Sequence, residues 1–100
     1  NLILHANNSH PRADTGIVLE ESQGTIVTNN RILLLHNYAN AIEYRFKQTK
    51  NVLIKNNIVN KRIRSRNGGK AKLESNTMVH RLDELLSKVE LDKWQDYIQE

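Results

Sequence analysis

Two alternating runs joined by a polar corner occupy Ala41 to Val59, which reads AIEYRFKQTKNVLIKNNIV. In the first run, Ile42, Tyr44 and Phe46 alternate with charged residues. The second run places valine, isoleucine, asparagine and isoleucine at every second position from residue 52. Strict alternation over short runs predicts half-buried β-strands rather than helix.

The same pattern occurs earlier, over residues 16–32, which read GIVLEESQGTIVTNNRI. Aligning Ile17 with Ile42 also aligns Leu19 with Tyr44. After one inserted residue, the alignment sets Ile26 on Val52, Thr28 on Ile54, Asn30 on Asn56 and Ile32 on Ile58. An internal repeat of about 25 residues lies in the period range of solenoid proteins.

A third, shorter copy occupies residues 63–76, which read IRSRNGGKAKLESN. It sets Ile63 on Ile42 and Leu73 on Ile54, and the adjacent glycines Gly68 and Gly69 explain the shortening as a tighter turn. The predicted core is the set of inward-facing residues Ile17, Leu19, Ile26, Ile42, Tyr44, Phe46, Val52, Ile54, Ile63 and Leu73.

The period changes after Met78. Leu82, Leu85 and Val89 are spaced three and four residues apart, which predicts a helix. A second helical run is expected over residues 92–98, with Asp92 as its N-cap. We therefore expect strands over residues 1–78 and a C-terminal helical cap over residues 79–100, laid across the open end of the solenoid.

Composition narrows the classes of partner. A net charge of +4 and a pI near 9.6 suit a polyanion. No basic run interleaves with aromatic residues as a single-strand binder requires, so a nucleic-acid partner is not expected. No signal peptide, membrane span or cysteine occurs in these residues, and a membrane partner is not expected.

The paired asparagines carry a resemblance to a known family. The motif apolar-x-apolar-x-Asn-Asn-x-apolar recurs at Asn7-Asn8, Asn29-Asn30 and Asn56-Asn57, with a degenerate copy at Ser75-Asn76. It resembles the right-handed parallel β-helix (PbH1) repeat of the pectate-lyase-like superfamily. The resemblance implies an all-β fold, a right-handed parallel β-helix of about three rungs, in which stacked asparagines form a ladder along the axis.

Within that superfamily, the third copy looks most like the C-terminal coils of chondroitinase B and alginate-lyase-type polysaccharide lyases. The resemblance implies a secreted or periplasmic protein that cleaves acidic polysaccharide by β-elimination. It makes a calcium ion possible, but no ligand set and no catalytic base can be assigned in this segment. A non-catalytic β-helix module, structural or polysaccharide-binding, is the alternative.

The chain is expected to be the C-terminal part of a longer protein, since it starts at Asn1 and its first residues already form a strand pattern. The open edge at Leu2, Ile3 and Leu4 is then expected to pair with upstream rungs or with another copy.

The candidate substrate-binding residues follow from stacking the three copies. Outward-facing positions form two columns, one of Val18, Glu43 and Arg64 and one of Glu20, Arg45 and Arg66. As a polyanion-binding strip, the face would use Arg45, Lys47, Arg64 and Arg66, with His36 in the adjoining corner. Alternatively, the columns are solvated salt bridges that join Glu20 to Arg45 and Glu43 to Arg64.

Other motifs are weaker. His5, His10, His36 and His80 lack metal-binding spacing, so no metal site is predicted. The triplet at residues 14–16 matches that of aspartic proteases, but no apolar strand precedes it. The sequence at residues 7–9 is a formal glycosylation acceptor. Aromatic residues 94 and 97 are expected to pack within the cap rather than to stack on sugar.

Overall fold

The computed structural model describes residues 1–6 and 13–98, with the side chain of Tyr97 excepted. The strands are β1 (Leu2–His5), β2 (Ile17–Glu20), β3 (Ile26–Thr28), β4 (Arg31–Leu34), β5 (Asn40–Arg45), β6 (Val52–Lys55), β7 (Ile58–Val59), β8 (Arg62–Arg66), β9 (Ala71–Glu74) and β10 (Thr77–Met78). A 3₁₀ turn (Leu82–Glu84) and the helices α1 (Lys88–Lys93) and α2 (Gln95–Ile98) follow. The first asparagine pair, His10 and the acceptor triplet lie outside the described residues, as does most of the loop between β1 and β2.

The strands form three parallel sheets, which confirms the all-β class. The sheet orders are β1-β4-β7-β10, β2-β5-β8 and β3-β6-β9, so the chain enters each sheet in turn. Each strand pairs with the strand three places later in the chain, and every pair is parallel.

The predicted register is confirmed in the sheet β2-β5-β8. Ile17 pairs with Ile42 and Leu19 with Tyr44, and Ile63 follows Ile42 on the next strand. The repeat therefore aligns the strands β2, β5 and β8 as the sequence predicts.

In the sheet β3-β6-β9, the predicted register is confirmed between β6 and β9 but is wrong by one residue between β3 and β6. Ile26 pairs with Leu53 rather than with Val52, so Val27 stacks on Ile54. Ile26 is consequently 65% exposed, whereas Val27 joins the core. A shift of one residue turns every side chain to the opposite face of a strand.

Phe46 is also wrongly assigned to the core. Its φ angle is 73°, and its side chain is 36% exposed. Phe46 follows β5, and the residues that follow β2 and β8 in the same sheet, Glu21 and Asn67, also have positive φ angles. The corner of each repeat thus takes a left-handed conformation that turns the next side chain away from the strand pattern.

The two residues of each asparagine pair have different structural roles. Asn29, Asn56 and Ser75 all have φ angles between 55° and 57°, so the first residue of each pair makes the turn. The second residue faces inward and forms the ladder. The Nδ2 of Asn30 donates to the Oδ1 of Asn57, and the Nδ2 of Asn57 donates to the Oδ1 of Asn76, each over 3.0 Å.

The main core lies between the three sheets, and its members are Leu19, Val27, Ile32, Leu34, Ala41, Ile42, Tyr44, Val52, Ile54 and Val59. Ile17 and Ile63 pack against it. Leu73 continues the column of Ile54 but is 45% exposed, and Met78 continues the column of Val59 but is 44% exposed. The core is therefore open at the end formed by β8, β9 and β10.

The helical segment does not cover that open end, contrary to the expectation. It packs on the outer face of the sheet β1-β4-β7-β10, where Leu85 and Leu86 form a second cluster with Leu33. Leu2 and Leu4 of β1 border the same cluster. The reason is that β4 is apolar on both faces, and its outer face needs a cover.

The predicted helix boundaries need correction as well. Asp92, the predicted N-cap of the second helical run, lies inside α1, and the N-cap of α1 is Ser87, which forms a capping box with Glu90. Val89 is 77% exposed, because the chain makes a 3₁₀ turn before α1 and does not continue one helical stripe. The Ser-x-x-Glu signature at residues 87–90 would have located the helix start.

Candidate functional site

A fully buried carboxylate organises the outer face of β2, β5 and β8. Strand alternation places Glu43 on that face, yet its side chain has no exposed surface. The corner that precedes β5 folds over it. The Nδ2 of Asn40 donates to Glu43 Oε2 over 2.7 Å, and the Tyr38 hydroxyl donates to the same oxygen.

Arg45 binds the other oxygen of this carboxylate. Its Nε and Nη2 lie 2.7 Å and 2.6 Å from Glu43 Oε1. Burial alone would raise the pKa of Glu43, but the hydrogen bonds from Asn40, Tyr38 and Arg45 together lower it. Glu43 therefore stays ionised beneath the surface.

Arg45 forms ion pairs with three carboxylates in all. Its Nη1 lies 3.0 Å from Glu20 Oε1, which confirms the predicted pair across β2 and β5. Its Nη2 is also 3.4 Å from Asp14 Oδ1. Burial would lower the pKa of Arg45, but the hydrogen bonds to Glu43 and Glu20 raise it overall. With 19% of its side chain exposed, Arg45 is committed to internal partners.

A surface depression of about 510 Å³ lies beside this cluster. It is lined by Ala13, Asp14, Tyr38, Arg45, Phe46, Arg66 and Asn67. The Nη1 of Arg66 is 3.4 Å from the Tyr38 hydroxyl and 3.5 Å from Glu43. In the depression, the phenol of Tyr38 and the half-exposed guanidinium of Arg66 therefore lie next to the buried carboxylate of Glu43.

Strand β8 presents arginine at every second position. Arg62, Arg64 and Arg66 are exposed, while Ile63 and Ser65 between them are half-buried. Successive arginines are about 6.6 Å apart along the strand. Glu43 pairs with Arg45 and Arg66 rather than with Arg64, so the predicted pair of Glu43 and Arg64 does not form although the two residues are adjacent in register.

The glycine turn after β8 fits closely against the preceding repeat. A Cβ on Gly69 would lie 2.2 Å from the carbonyl oxygen of Tyr44, and one on Gly68 would lie 3.0 Å from Cγ of Lys47. The exposed Lys47 therefore lies beside the turn that follows β8.

His36 lies at the base of the same corner and is only 4% exposed. Its Nε2 is 3.0 Å from Nδ1 of His5, and its Nδ1 accepts a hydrogen bond from the backbone N–H of Tyr38 over 3.2 Å. Burial, and then the neighbouring His5, lower the pKa of His36.

The structure brings Arg45, Arg64 and Arg66 to one face, places Lys47 beside the turn after β8, and places His36 in the corner before β5. Sequence reasoning missed Tyr38 and Asp14, which lie outside the strands, and Asn40, which is the first residue of β5. The one available signal was the clustering of polar residues at 36–40 just before the most regular strand.

No group of three or more metal-binding side chains occurs within residues 1–6 and 13–98. Calcium takes six to eight oxygen ligands, whereas Asp14, Glu20 and Glu43 are all bound to one arginine. These residues therefore do not fit the calcium ion that the family resemblance made possible.

A smaller cavity of about 300 Å³ lies between β1 and the helical segment, lined by Leu2, Leu4, Ala6 and Trp94. None of the helices in the described part of the chain is long and apolar enough to cross a membrane.

Comparisons with family models, with curated proteins and with solved structures found no match to this chain.

Proposed function

We propose that this chain is the C-terminal part of a longer, secreted or periplasmic protein built as a right-handed parallel β-helix, and that the outer face of β2, β5 and β8 binds an acidic polysaccharide. The β-helix is supported by the rotation of the chain through three parallel sheets and by the ladder of Asn30, Asn57 and Asn76. The proposed secretion to the outside or to the periplasm is supported by the resemblance in sequence.

The exposed arginine row of β8 carries the proposal. Among the described carboxylates, only Glu43 pairs with this row, through the long contact to Arg66. A guanidinium that lacks a close internal partner is available to a ligand, and it binds carboxylates and sulfates through two parallel hydrogen bonds. The regular spacing along an extended strand suits a linear polymer with a repeated negative charge.

The predicted binding residues then take different parts. Arg64, Arg66 and Lys47 contact the polymer, and Arg62 extends the row. Arg45 is a positioning residue, because its guanidinium already holds three carboxylates. His36 acts through the corner that it supports rather than by direct contact.

The depression beside Tyr38 favours polysaccharide lyase activity as a second candidate. Removal of the proton next to a uronate carboxylate requires that the carboxylate be neutralised, and Arg66 borders the depression for that purpose. Burial, and then the bond to Glu43, raise the pKa of Tyr38, so its hydroxyl stays protonated. To protonate a departing sugar oxygen, the hydroxyl would have to turn from Glu43 to the substrate. A base from this chain or from upstream rungs would complete the elimination.

Binding is tested by titrating the chain with alginate, chondroitin sulfate and a neutral glucan in low salt. We expect binding to the two acidic polymers that weakens as salt screens the charges. Arg64→Gln should weaken binding at least about tenfold, since one charge-assisted hydrogen bond contributes roughly 1.5–3 kcal/mol. Arg81→Gln is the matched control, because Arg81 is exposed and pairs with Asp83 away from β8.

Equal affinity for the neutral glucan, or equal losses in the two variants, would refute the binding proposal. Lyase activity is tested separately, from the ultraviolet absorbance of unsaturated uronate products made by the chain and by a longer parent protein. Products from neither would exclude the lyase and leave the binding module.

A further inference from the structure

The hydrogen bonds around His36 define the protonation state of two histidines. The Tyr38 backbone N–H can only donate, so Nδ1 of His36 carries no proton. The proton of neutral His36 is therefore on Nε2 and points at Nδ1 of His5, 3.0 Å away. His5 accepts it, and its own proton is on Nε2.

This arrangement has room for two ring protons and not for a third. The contact between the two rings needs one proton between its nitrogens, and the Tyr38 bond needs none on Nδ1 of His36. The only other nitrogen, Nε2 of His5, already carries a proton. A third proton therefore places two hydrogens face to face, either at the ring contact or at the Tyr38 N–H.

Both contacts hold the same corner. The ring contact fastens residue 36 to β1, and the Tyr38 bond closes the turn that leads to β5. Tyr38 and Asn40, which cover the carboxylate of Glu43, both belong to this corner. Loss of either contact loosens the cover of the buried ion pair.

We propose that the pair of His5 and His36 is a pH-sensitive latch, which holds corner 36–40 over Glu43 when neutral and releases it when the pair takes up one proton. The latch regulates the outer face of β2, β5 and β8, and in that respect it rests on the proposed function of that face. Its structural part stands without any ligand.

The charged groups around the latch favour the neutral form. Besides His5, Lys61 acts on His36 to disfavour its protonation, and Asp14 acts weakly in the opposite direction. Burial is the largest cause of the lowered pKa of His36. The latch therefore stays closed at pH 7 and opens in the acidic range, below the ordinary histidine pKa of about 6.5.

The test is an NMR titration of the ligand-free chain from pH 7.5 to 5, which follows the histidine ring signals and the exchange protection of the Tyr38 amide. We expect the ring signals of His36 to change together with a loss of that protection. Because opening takes up one proton, the population of the open corner should rise by up to about tenfold per pH unit.

The variant His36→Asn tests the cause. An asparagine oxygen can accept the Tyr38 N–H in the same turn and does not titrate. The variant loses the contact with His5, but the opening of its corner should be the same at pH 7.5 and at pH 5. His80→Asn is the matched control, because His80 is exposed and the variant should open like the wild type.

An unchanged Tyr38 amide while the ring of His36 takes up its proton would overturn the latch, as would opening of His36→Asn at the same pH as the wild type. Polysaccharide affinity is then measured at pH 7.5 and 5. A chain whose corner opens but which never binds polysaccharide would keep the latch and refute the binding proposal.

Discussion

The guanidinium of Arg45 lies 2.6 Å from the carboxylate of Glu43, although both residues stand on the face that strand alternation assigns to solvent. The corner before β5 removes this pair from water and supplies Tyr38 and Asn40 as further donors. A buried carboxylate with several donors holds its neighbours in fixed positions. The outer face is therefore built around an internal ion pair, with the β8 arginines at its margin.

Glu43→Gln should destabilise the fold by about 3 kcal/mol, because it removes one member of a buried pair and leaves Arg45 without its main partner. Urea unfolding at pH 7 measures the loss. Glu20→Gln is the control, since Glu20 pairs with the same arginine at an exposed position and should cost at most about 1 kcal/mol. Equal costs would mean that burial of Glu43 contributes nothing.

The carboxylate of Glu43 should make the free energy of unfolding depend on pH. The folded pKa of Glu43 is below its ordinary value of 4.5, so the unfolded chain binds its proton more readily. The stabilisation is complete above pH 4.5 and declines as the pH falls below it. Unfolding curves between pH 6 and 3 should show a smaller acid loss in Glu43→Gln than in the wild type, and parallel curves would contradict the assignment.

Glu90 should contribute a separate acid-sensitive contact. Both of its oxygens lie 2.7 Å from the guanidinium of Arg31, which joins α1 to β4. The bonds from Arg31 and then from the Ser87 backbone lower the pKa of Glu90 to about 2. The contact is therefore complete above pH 4.5 and is lost progressively as the pH falls towards 2.

Glu90→Gln should lower the thermal midpoint at pH 7 and leave it less sensitive to acid than that of the wild type. Circular dichroism at a series of pH values measures both effects. Glu84→Gln, an exposed change in the preceding turn, should have neither effect. Identical acid profiles in all three proteins would show that this bidentate pair does not support the helical segment.

The asparagine ladder should depend most on its middle member. Asn57 is fully buried, donates to Val27 and Asn76, and accepts from the backbone and the side chain of Asn30. Asn57→Ala leaves several of these groups without partners, which should cost about 3 kcal/mol in the free energy of unfolding. Asn37→Ala, at an exposed position, should stay within about 0.5 kcal/mol of the wild type in the same urea titration.

Gly69 should not tolerate a side chain. The added Cβ of Gly69→Ala would lie 2.2 Å from the Tyr44 carbonyl oxygen, so the turn after β8 must move. We expect a loss of at least about 2 kcal/mol, measured by thermal unfolding. Gly24→Ala meets no atom within 4 Å, and its φ of +68° should cost only about 1 kcal/mol. Similar costs for the two variants would contradict the close approach.

Local alternation and the repeat were enough to predict strands and the alignment of Ile17, Ile42 and Ile63, because the side-chain period of a strand is a property of neighbouring residues. They also brought Arg45, Arg64 and Arg66 to one face. The parallel arrangement was implied by the resemblance to the β-helix repeat. The ladder of asparagines was likewise implied by the resemblance that the paired asparagines carry.

Contacts between distant segments settled the remaining features. The one-residue shift at Ile26 depends on where the corner absorbs an extra residue, and the exposure of Phe46 depends on a left-handed turn there. The burial of Glu43 and the pairing of His5 with His36 require loops to fold over strands. No period in the sequence encodes these contacts, because they join residues that the chain brings together only after its strands have stacked.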